Sequence, residues 1–459
     1  MSSQAPTQRQ AAPPQAGVLK GPPAQASTLG AGAFNPPVSR NVEDTGLSMG
    51  LLIDLVLKVM YFEGYLSGAD IADRLKLPFG GVIDRVLEFI KRERMCEVRG
   101  SGGIGEKAYQ YTITEKGSDK AREALERSTY TDAAPVSLQA YNQAILKQSV
   151  KSTAVTHRIM RQALSHMVIS DEVLSRVGPA VNSRKSIFLF GPPGNGKTAI
   201  SEAVGRVVLG EDMLIPYAVE IEGQIIKIYD QVNHQIVPEA ADTDGSAQTK
   251  LKPRDQRWLK IRRPVIIVGG ELTLETLDLV YDPANKFYEA PFQMKANGGM
   301  FLIDDFGRQQ VSPKNLLNRW IVPLEKRMDF LTLHTGRKIE IPFDVMIVFS
   351  TNLAPKDLVD EAFLRRIRHK IEIGNPSFEE FREIFKRVCQ AKGVPYDENG
   401  FLYLAKTHYH EAKRPWRAVH PRDLIDQLLD IAAYLNMPST MSKDLIDRAC
   451  AAYFVKLDQ

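Results

Sequence analysis

The stretch IFLFGPPGNGKTAISEAV, residues 187–204, decides the fold. Four apolar residues typical of a buried strand lead into a glycine-rich loop, and a helical pattern follows the loop. Residues 191–198 match the pattern G-x-x-x-x-G-K-[ST] in full, in the strand–loop–helix context that a phosphate-binding loop requires. Its glycines let backbone N–H groups face phosphate oxygens at the N-terminus of the helix. The alternative, a tight turn with a surface lysine, does not explain the flanking elements.

The loop supplies eight candidate nucleotide-binding residues, two of which carry the side-chain chemistry. The eight are Gly191, Pro192, Pro193, Gly194, Asn195, Gly196, Lys197 and Thr198. The Lys197 ammonium and the Thr198 hydroxyl are expected to reach phosphate and Mg²⁺. We therefore predict a nucleotide with Mg²⁺ as the ligand of this loop.

Two further apolar runs end in polar residues that suit the same chemistry. The run in GGMFLIDDFGR ends in Asp304 and Asp305, where the first acid can hold Mg²⁺ and the second can orient an attacking water. The run VMIVFSTN ends in Asn352, whose amide could address the γ-phosphate or that water. A buried strand with a polar cap explains either segment alone, but it explains both in this order poorly.

The composition is that of an ordinary globular protein. The chain has 459 residues, 44% of them hydrophobic and 25% charged, with a net charge of +4 that neither demands nor forbids nucleic acid. The three cysteines lie far apart without a C-x-x-C pair, which argues against a disulfide framework and a zinc site. No signal pattern or long apolar run is present, so we expect a cytoplasmic protein without membrane insertion.

Composition and periodicity divide the chain into five segments. Residues 1–44 are rich in Pro, Ala and Gln and too poor in large apolar residues to fold, so we expect a disordered tail. Residues 45–130 contain three helical patterns, a hairpin and a closing helix, and residues 131–150 are predicted to be a linker. Residues 151–375 alternate short apolar runs with helical patterns, which favours a largely parallel sheet. Residues 376–459 are predicted to be helical.

The motifs GPPGNGKT, FLIDDF, FSTN, DEAFLRRIRHKI and HPRDLIDQL occur in this order and together resemble those of the AAA+ ATPases, over roughly residues 140–459. In that family they would be Walker A, Walker B, sensor 1, the arginine finger and sensor 2. The resemblance implies an α/β P-loop NTPase with a parallel sheet core and a C-terminal helical lid. It also implies hydrolysis of Mg-ATP in a homo-oligomeric ring, typically a hexamer.

The resemblance adds arginines to the candidate site. The finger candidates are Arg365, Arg366 and Arg368, and the sensor 2 candidate is Arg422. An arginine finger stabilises the charge that develops on the phosphoryl group in a neighbouring subunit's site. Two simpler explanations stay open. The RRIRHK run could be a solvated basic helix end or a nucleic-acid patch, and Arg422 could pair with Asp423 or Asp426.

One position departs from the family pattern. Most of the family has Asp-Glu at the end of Walker B, whereas this chain has Asp304 followed by Asp305. Because Asp305 is one methylene shorter, the attacking water must lie closer or the strand must shift. The sequence IDDFG is similar to that of helicase-loader and transposition-helper ATPases, which implies that an aspartate pair can serve.

Other segments resemble inserts of the helix-2-insert and pre-sensor-1 hairpin superclade, which includes MoxR-like and bacterial enhancer-binding proteins. Residues 214–232 alternate like a β-hairpin with a Glu-Gly turn. Residues 269–306 resemble the helix-2-insert region, and residues 328–345 predict a hairpin around Thr-Gly before the sensor 1 strand. In such rings the last two inserts point to the central pore and move with the nucleotide. The alternative is that they decorate the sheet edge.

The N-terminal segment resembles a winged helix-turn-helix domain, with Ser67 as a helix N-cap and Asp70 three residues on. Its basic side chains are Arg85, Lys91, Arg92, Arg94, Arg99 and Lys107. Acidic residues interleave with them, so DNA, a protein client and a structural role all stay open as explanations. The first hypothesis is an AAA+ ATPase that remodels a protein or a protein–nucleic acid partner. The alternative is an ATP-switched DNA-binding regulator with slow hydrolysis.

Overall fold

The computed structural model describes residues 34–103, 105–149, 155–208, 210, 212–238, 253–358 and 364–454. Most of the predicted disordered tail, residues 1–44, lies outside these ranges. Its last part, residues 34–44, packs on the folded chain instead: the Phe34 ring meets the Trp258 ring edge-on at 5.4 Å, and Ser39 is buried. The prediction of disorder is wrong for this part, because a single aromatic anchor beyond the proline-rich stretch finds an apolar partner.

The N-terminal region consists of four helices and a small antiparallel sheet. The helices are α1 (Met49–Glu63), α2 (Gly68–Leu75), α3 (Asp84–Arg92) and α4 (Glu115–Arg127), and the strands are β1 (Tyr65–Ser67), β2 (Cys96–Ser101) and β3 (Tyr109–Ile113), in the order β1-β3-β2. Ser67 and Asp70 form the predicted capping box at the start of α2. The aliphatic core of this region also contains Ala218 and Ile225, so the region shares its core with a distant part of the chain.

The predicted linker, residues 131–150, contains regular structure. Strand β4 (Val136–Ser137) is followed by helix α5 (Leu138–Gln148). The Tyr141 side chain is fully buried, and its hydroxyl donates a hydrogen bond to the Met294 carbonyl at 3.2 Å. The linker prediction is wrong because the apolar face of this short segment is buried against strands far away in sequence.

The centre of the molecule is the predicted parallel sheet. It consists of β5 (Ile187–Phe190), β10 (Val265–Val268), β13 (Met300–Ile303), β16 (Met346–Thr351) and β17 (His369–Glu372), in the order β10-β13-β16-β5-β17, and all neighbours are parallel. Helices cover both faces: α6 (His157–Ala163), α7 (Asp171–Ser183) and α8 (Lys197–Val208) on one, α10 (Pro313–Arg319) and α11 (Ile321–Lys326) on the other. Burial on both faces explains why these strands are continuous apolar runs.

A second, mixed sheet contains the hairpin predicted in residues 214–232 and strands from the segment 269–306. It consists of β4, β7 (Ala218–Ile221), β8 (Gln224–Lys227), β11 (Val280–Asp282) and β12 (Phe287–Glu289), in the order β11-β12-β8-β7-β4. The β7–β8 hairpin turns at Glu222 and Gly223, as predicted, and both residues have positive φ angles, 51° and 79°. Two further antiparallel pairs complete this region: β6 (Asp212–Pro216) with β9 (Trp258–Arg262), and β14 (Met328–Thr332) with β15 (Lys338–Pro342).

The two segments that resemble pore inserts belong to one subdomain. Residues 269–299 form a 3₁₀ turn, β11, β12 and the short helix α9 (Phe292–Lys295). The predicted β14–β15 hairpin is present, and it buries Leu331 and Ile341 in the same core as Tyr288 from β12. The hairpin and the second sheet are therefore packed together rather than projecting separately.

The region after the central sheet is helical as far as residue 454, as predicted. It contains α13 (Phe378–Lys392), α14 (Glu398–Tyr403), α15 (His420–Tyr434) and α16 (Lys443–Tyr453), whereas the short helix α12 (Pro355–Leu358) lies before β17. Aromatic rings dominate its core, with Phe381 and Tyr409 both in contact with Trp416. Among the described helices, none has the length and apolarity needed to cross a bilayer.

Candidate functional site

The phosphate loop is a tight backbone curve between β5 and α8. Gly191, Gly194 and Gly196 have φ angles of 136°, 80° and 82°. A Cβ atom at Gly191 would lie 2.3 Å from the Ile373 carbonyl oxygen, and one at Gly194 would lie 2.6 Å from the Val419 side chain. Glycine is thus required at these positions both by the left-handed backbone and by the close neighbours.

Lys197 is buried at the mouth of this loop, with 6% of its surface exposed. Its Nζ donates hydrogen bonds to the Gly191 and Pro192 carbonyls, both at 2.9 Å, and to Asn352 Oδ1 at 2.7 Å. Burial lowers the pKa of Lys197, and the two carboxylates after β13 oppose that shift. All three partners are neutral acceptors, so phosphate oxygens can replace them and add a charge-assisted bond.

The ends of β13 and β16 meet the start of α8. The Thr198 hydroxyl donates to Asp304 Oδ2 at 2.8 Å, and the Asn352 amide donates to Asp305 Oδ1 at 2.9 Å. Asp305 has a φ of 48°, a conformation that costs free energy outside glycine and that clusters at functional sites. The structure therefore brings Lys197, Thr198, both aspartates and Asn352 into one hydrogen-bonded network, although their roles in it stay predictions.

A cleft of about 980 Å³ lies beside the loop. Apolar side chains line much of it, namely Ile200, Ile373, Ile384, Val388 and Val419. Its volume suits a ligand of nucleotide size, and its walls suit a flat ring. Of the remaining loop residues, Pro193 is exposed, whereas Asn195 points inward and is 6% exposed.

One wall of the cleft, residues 166–169, is not among the predicted site residues. These residues connect α6 to α7, and Arg387 of α13 donates to the carbonyls of Ser165 and Met167 at 2.9 and 3.4 Å. A wall built by a connecting segment leaves no motif in the sequence. The position of Arg387 in an amphipathic helix does not reveal its role either, because its pattern is that of any solvent-exposed arginine.

Arg422, the predicted sensor 2 residue, lines the cleft from the first turn of α15. Its side chain is exposed, and its Nε pairs with Asp423 Oδ1 at 3.0 Å. Both features are therefore present: Arg422 lies beside the cleft, and it forms the ion pair with Asp423 that was the simpler explanation for this residue. Asp426 pairs instead with Lys392.

The structure does not bring the three finger candidates to this cleft. Arg365, Arg366 and Arg368 precede β17, which runs parallel to β5. The phosphate loop follows the carboxyl end of β5, so these arginines lie at the opposite edge of the sheet. Arg366 pairs with Glu325 at 2.7 Å, whereas Arg365 and Arg368 are exposed.

Comparisons with known proteins give limited matches. A domain of unknown function, DUF8689, matches residues 377–452, which is the helical region after the sheet. No curated protein matches the sequence. The fold is similar to that of NtrX from Brucella abortus in complex with ATP, with a TM-score of 0.37 and 13% identity over 73% of this chain and 64% of that chain. It is also similar to the RuvB Holliday junction branch migration motor of Thermotoga maritima, with a TM-score of 0.34 and 13% identity over 62% and 70%. This chain thus spans less than two thirds of the NtrX chain.

Proposed function

We propose that the chain is an AAA+ ATPase that binds and hydrolyses Mg-ATP in this cleft, within a ring of identical subunits, to remodel a protein or a protein–nucleic acid partner. The observation that carries the proposal is the single network of Lys197, Thr198, Asp304, Asp305 and Asn352. These residues come from positions more than 150 apart in the chain. Structural demands alone do not explain why a buried ammonium, two carboxylates and a glycine cradle meet at one sheet edge.

The residues present fit the triphosphate and the metal. Glycine at 191 and 194 allows the tight curve of the loop, because a Cβ there would collide with Ile373 or Val419, and the Lys197 ammonium lies at the mouth of that curve. No group of three or more His, Cys, Asp and Glu side chains forms a metal cage in the part of the chain that the structure describes. Thr198 and Asp304 offer two hard oxygen atoms, which suits Mg²⁺ because this ion takes its other ligands from phosphates and water.

Each residue has a defined task in the proposed reaction. Lys197 and the loop N–H groups hold the phosphates and offset their charge. Bound Mg²⁺ supplies further charge neutralisation on the phosphate oxygens. Asp305 orients the attacking water. Asn352 contacts both Lys197 and Asp305, so it links the presence of the γ-phosphate to the position of the Asp305 carboxylate. The apolar walls hold the base and exclude water from the phosphates.

The position of the arginines before β17 supports a ring. They lie across the sheet from their own subunit's loop, so Arg365 or Arg368 can act only on a neighbour's nucleotide. Both are exposed, as a residue that reaches into another subunit must be. Arg366 is the weaker candidate, because Glu325 already engages it.

The N-terminal region favours a protein client over direct DNA reading. Three of the exposed arginines that could face DNA form local ion pairs instead: Arg85 with Glu88, Arg92 with Glu93, and Arg99 with Glu97. Self-paired cations neutralise few phosphates, because each acid opposes the release of counterions that drives DNA binding. The ATP-switched DNA-binding regulator is accordingly the weaker proposal.

Substitution of Asp305 by Asn tests the proposal. The variant is expected to bind Mg-ATP with a dissociation constant close to that of the wild type, while hydrolysis falls about a hundredfold or more. A matched control is Asp119→Asn, at an exposed carboxylate of α4 that pairs with Arg122. Hydrolysis by Asp305→Asn at the rate of this control would remove the water-orienting role.

A further inference from the structure

Asn195, a residue of the phosphate loop, makes side-chain hydrogen bonds to residues outside the loop. Its Nδ2 donates to the Gly374 carbonyl at 3.0 Å and to Asn375 Oδ1 at 2.9 Å. Its Oδ1 accepts a hydrogen bond from the Ala418 N–H at 3.2 Å. The side chain is buried, with 6% of the residue exposed, so these contacts are shielded from water.

The three partners belong to two segments, one that leads into the helical region and one that lies inside it. Gly374 and Asn375 connect β17 to α13, and Ala418 lies just before α15. The next residue, Val419, donates its N–H to the Gly194 carbonyl at 2.8 Å, beside the Asn195 contacts. The phosphate loop is therefore tied both to the hinge between the sheet and the helices and to the segment that leads into α15.

The chemistry at this position requires a short amide. The Asn195 side chain donates on one side and accepts on the other, which a carboxylate or an alkyl group cannot do. A shorter hydroxyl could not span the loop, the hinge and the α15 segment together. Nothing in a phosphate-binding loop as such demands this residue, because phosphates are held by backbone N–H groups and by lysine.

We infer that Asn195 is a positioning residue that couples the phosphate loop to the helical region, so that filling of the loop moves α13 and α15 through the hinge. The inference rests on the proposed nucleotide binding. Because the Asn195 side chain contacts both segments, its displacement reaches the hinge and the α15 segment together. Arg422, in the first turn of α15, moves with that segment.

Hydrogen exchange of the full-length protein, with and without Mg-AMPPNP, tests the coupling. In the wild type we expect the analogue to slow exchange in residues 378–392 and 414–419. In Asn195→Ala we expect affinity for the analogue within about threefold of the wild type, loss of that slowing, and a fall in kcat of about tenfold with little change in KM. The matched control is Asn285→Ala, at an exposed asparagine in the turn between β11 and β12.

A second variant separates coupling from a direct phosphate contact. Asn375→Ala removes one partner outside the loop and is expected to reduce the response of the helices in part. Tighter or weaker binding in Asn195→Ala with a normal response in both variants would overturn the coupling. Failure of the wild type to bind the analogue would instead overturn the proposed function. Exchange at 414–419 without nucleotide, expected to be faster in Asn195→Ala, tests the tie independently of binding.

Discussion

At the scale of single residues, the side chains of the site are held by hydrogen bonds that a bound ligand would replace with bonds to itself. The Thr198 hydroxyl donates a hydrogen bond to Asp304, and the Lys197 ammonium donates three hydrogen bonds to neutral oxygen atoms. These side chains are thus already oriented before any ligand arrives, which lowers the ordering cost of binding. Asp305, in its left-handed conformation, is held by the Asn352 amide.

Substitution of Thr198 by Val tests the metal assignment, because valine keeps the shape and removes the hydroxyl. We expect affinity for ATP without Mg²⁺ to be unchanged, while the gain in affinity on adding Mg²⁺ falls about tenfold. Calorimetric titration with and without the metal measures both quantities. Equal loss of affinity in both titrations would indicate damage to the loop instead.

The side chains of this site were predictable because strong rules fix them. A glycine-rich loop with Lys-Thr and acids at strand ends follow from chemistry that few residue types can perform. The motif predicts only that Asn195 belongs to the loop. It does not predict the side-chain contacts of Asn195 with Gly374 and Ala418, which lie outside the loop. They depend on where the hinge and the helices pack, which local sequence does not encode.

At the scale of elements, the helical region contains a buried histidine at the start of α15. The His420 ring lies against Tyr409, with Nδ1 and the Tyr409 hydroxyl 3.0 Å apart. Burial chiefly, and then Arg417 and Arg414, lower its pKa to about 4, while Asp423 opposes the shift.

The buried histidine predicts an acid sensitivity of folding. The unfolded chain binds a proton near pH 6.5, whereas the folded chain does so only near pH 4, so His420 leaves stability intact above pH 6.5 and reduces it as the pH falls towards 4. The reduction attributable to this residue is about 3 kcal/mol at pH 4. Urea unfolding from pH 7 to pH 4 measures it, and His420→Gln should flatten the profile. An unchanged profile in that variant would assign the acid sensitivity to other groups.

Elements whose sequence carries a local periodicity or turn signal were predictable. Elements that form only because they pair or pack with distant parts of the chain were not. The β7–β8 and β14–β15 hairpins carry alternation and turn residues, so the sequence indicated both. The strand β4 has two residues, Val136 and Ser137, and pairs with Val219 and Glu220 of β7, 83 positions further on, which no local pattern reveals. Helix α5 was missed for the same reason, since its apolar face matters only against the second sheet.

At the scale of the whole molecule, one buried arginine just before β9 fastens the N-terminal region to the rest of the chain. Arg257 forms a bidentate pair with Asp255, in which Nε donates to Oδ1 and Nη2 donates to Oδ2, and both residues are nearly inaccessible to solvent. Its Nη1 also donates to the carbonyls of Thr45 and Pro135 at 2.9 and 3.0 Å. The N-terminal region is thus anchored to the body of the protein by polar contacts as well as by its shared core.

Loss of this anchor predicts a large effect on stability. In Arg257→Met the Asp255 carboxylate is left buried without its partner, and the free energy of unfolding should fall by about 3–5 kcal/mol. Chemical denaturation measures the change. The double variant Arg257→Met, Asp255→Leu should recover part of the loss, because it removes the unpaired charge. A double variant no more stable than the single one would contradict this origin.

The proposed ring predicts that two inactive variants restore each other. Lys197→Ala removes a subunit's own site, and Arg365→Ala removes what that subunit offers its neighbour. In a mixture some interfaces pair an intact loop with an intact arginine, so ATPase activity should reappear in proportion to those interfaces. Arg366→Ala is the comparison variant. If Glu325 holds the Arg366 side chain in its own subunit, this variant should not lose ATPase activity as Arg365→Ala does, and its activity should not depend on mixing with Lys197→Ala. A mixture as inactive as its components would leave no support for sharing between subunits.

Binding of Mg-ATP to the full-length chain, measured by calorimetry for the wild type and for Lys197→Ala, tests the central claim most directly. The account predicts one nucleotide per chain for the wild type and an affinity weaker by about tenfold or more for the variant. A wild type that binds no nucleotide, or a variant that binds it equally well, would contradict the assignment of the cleft.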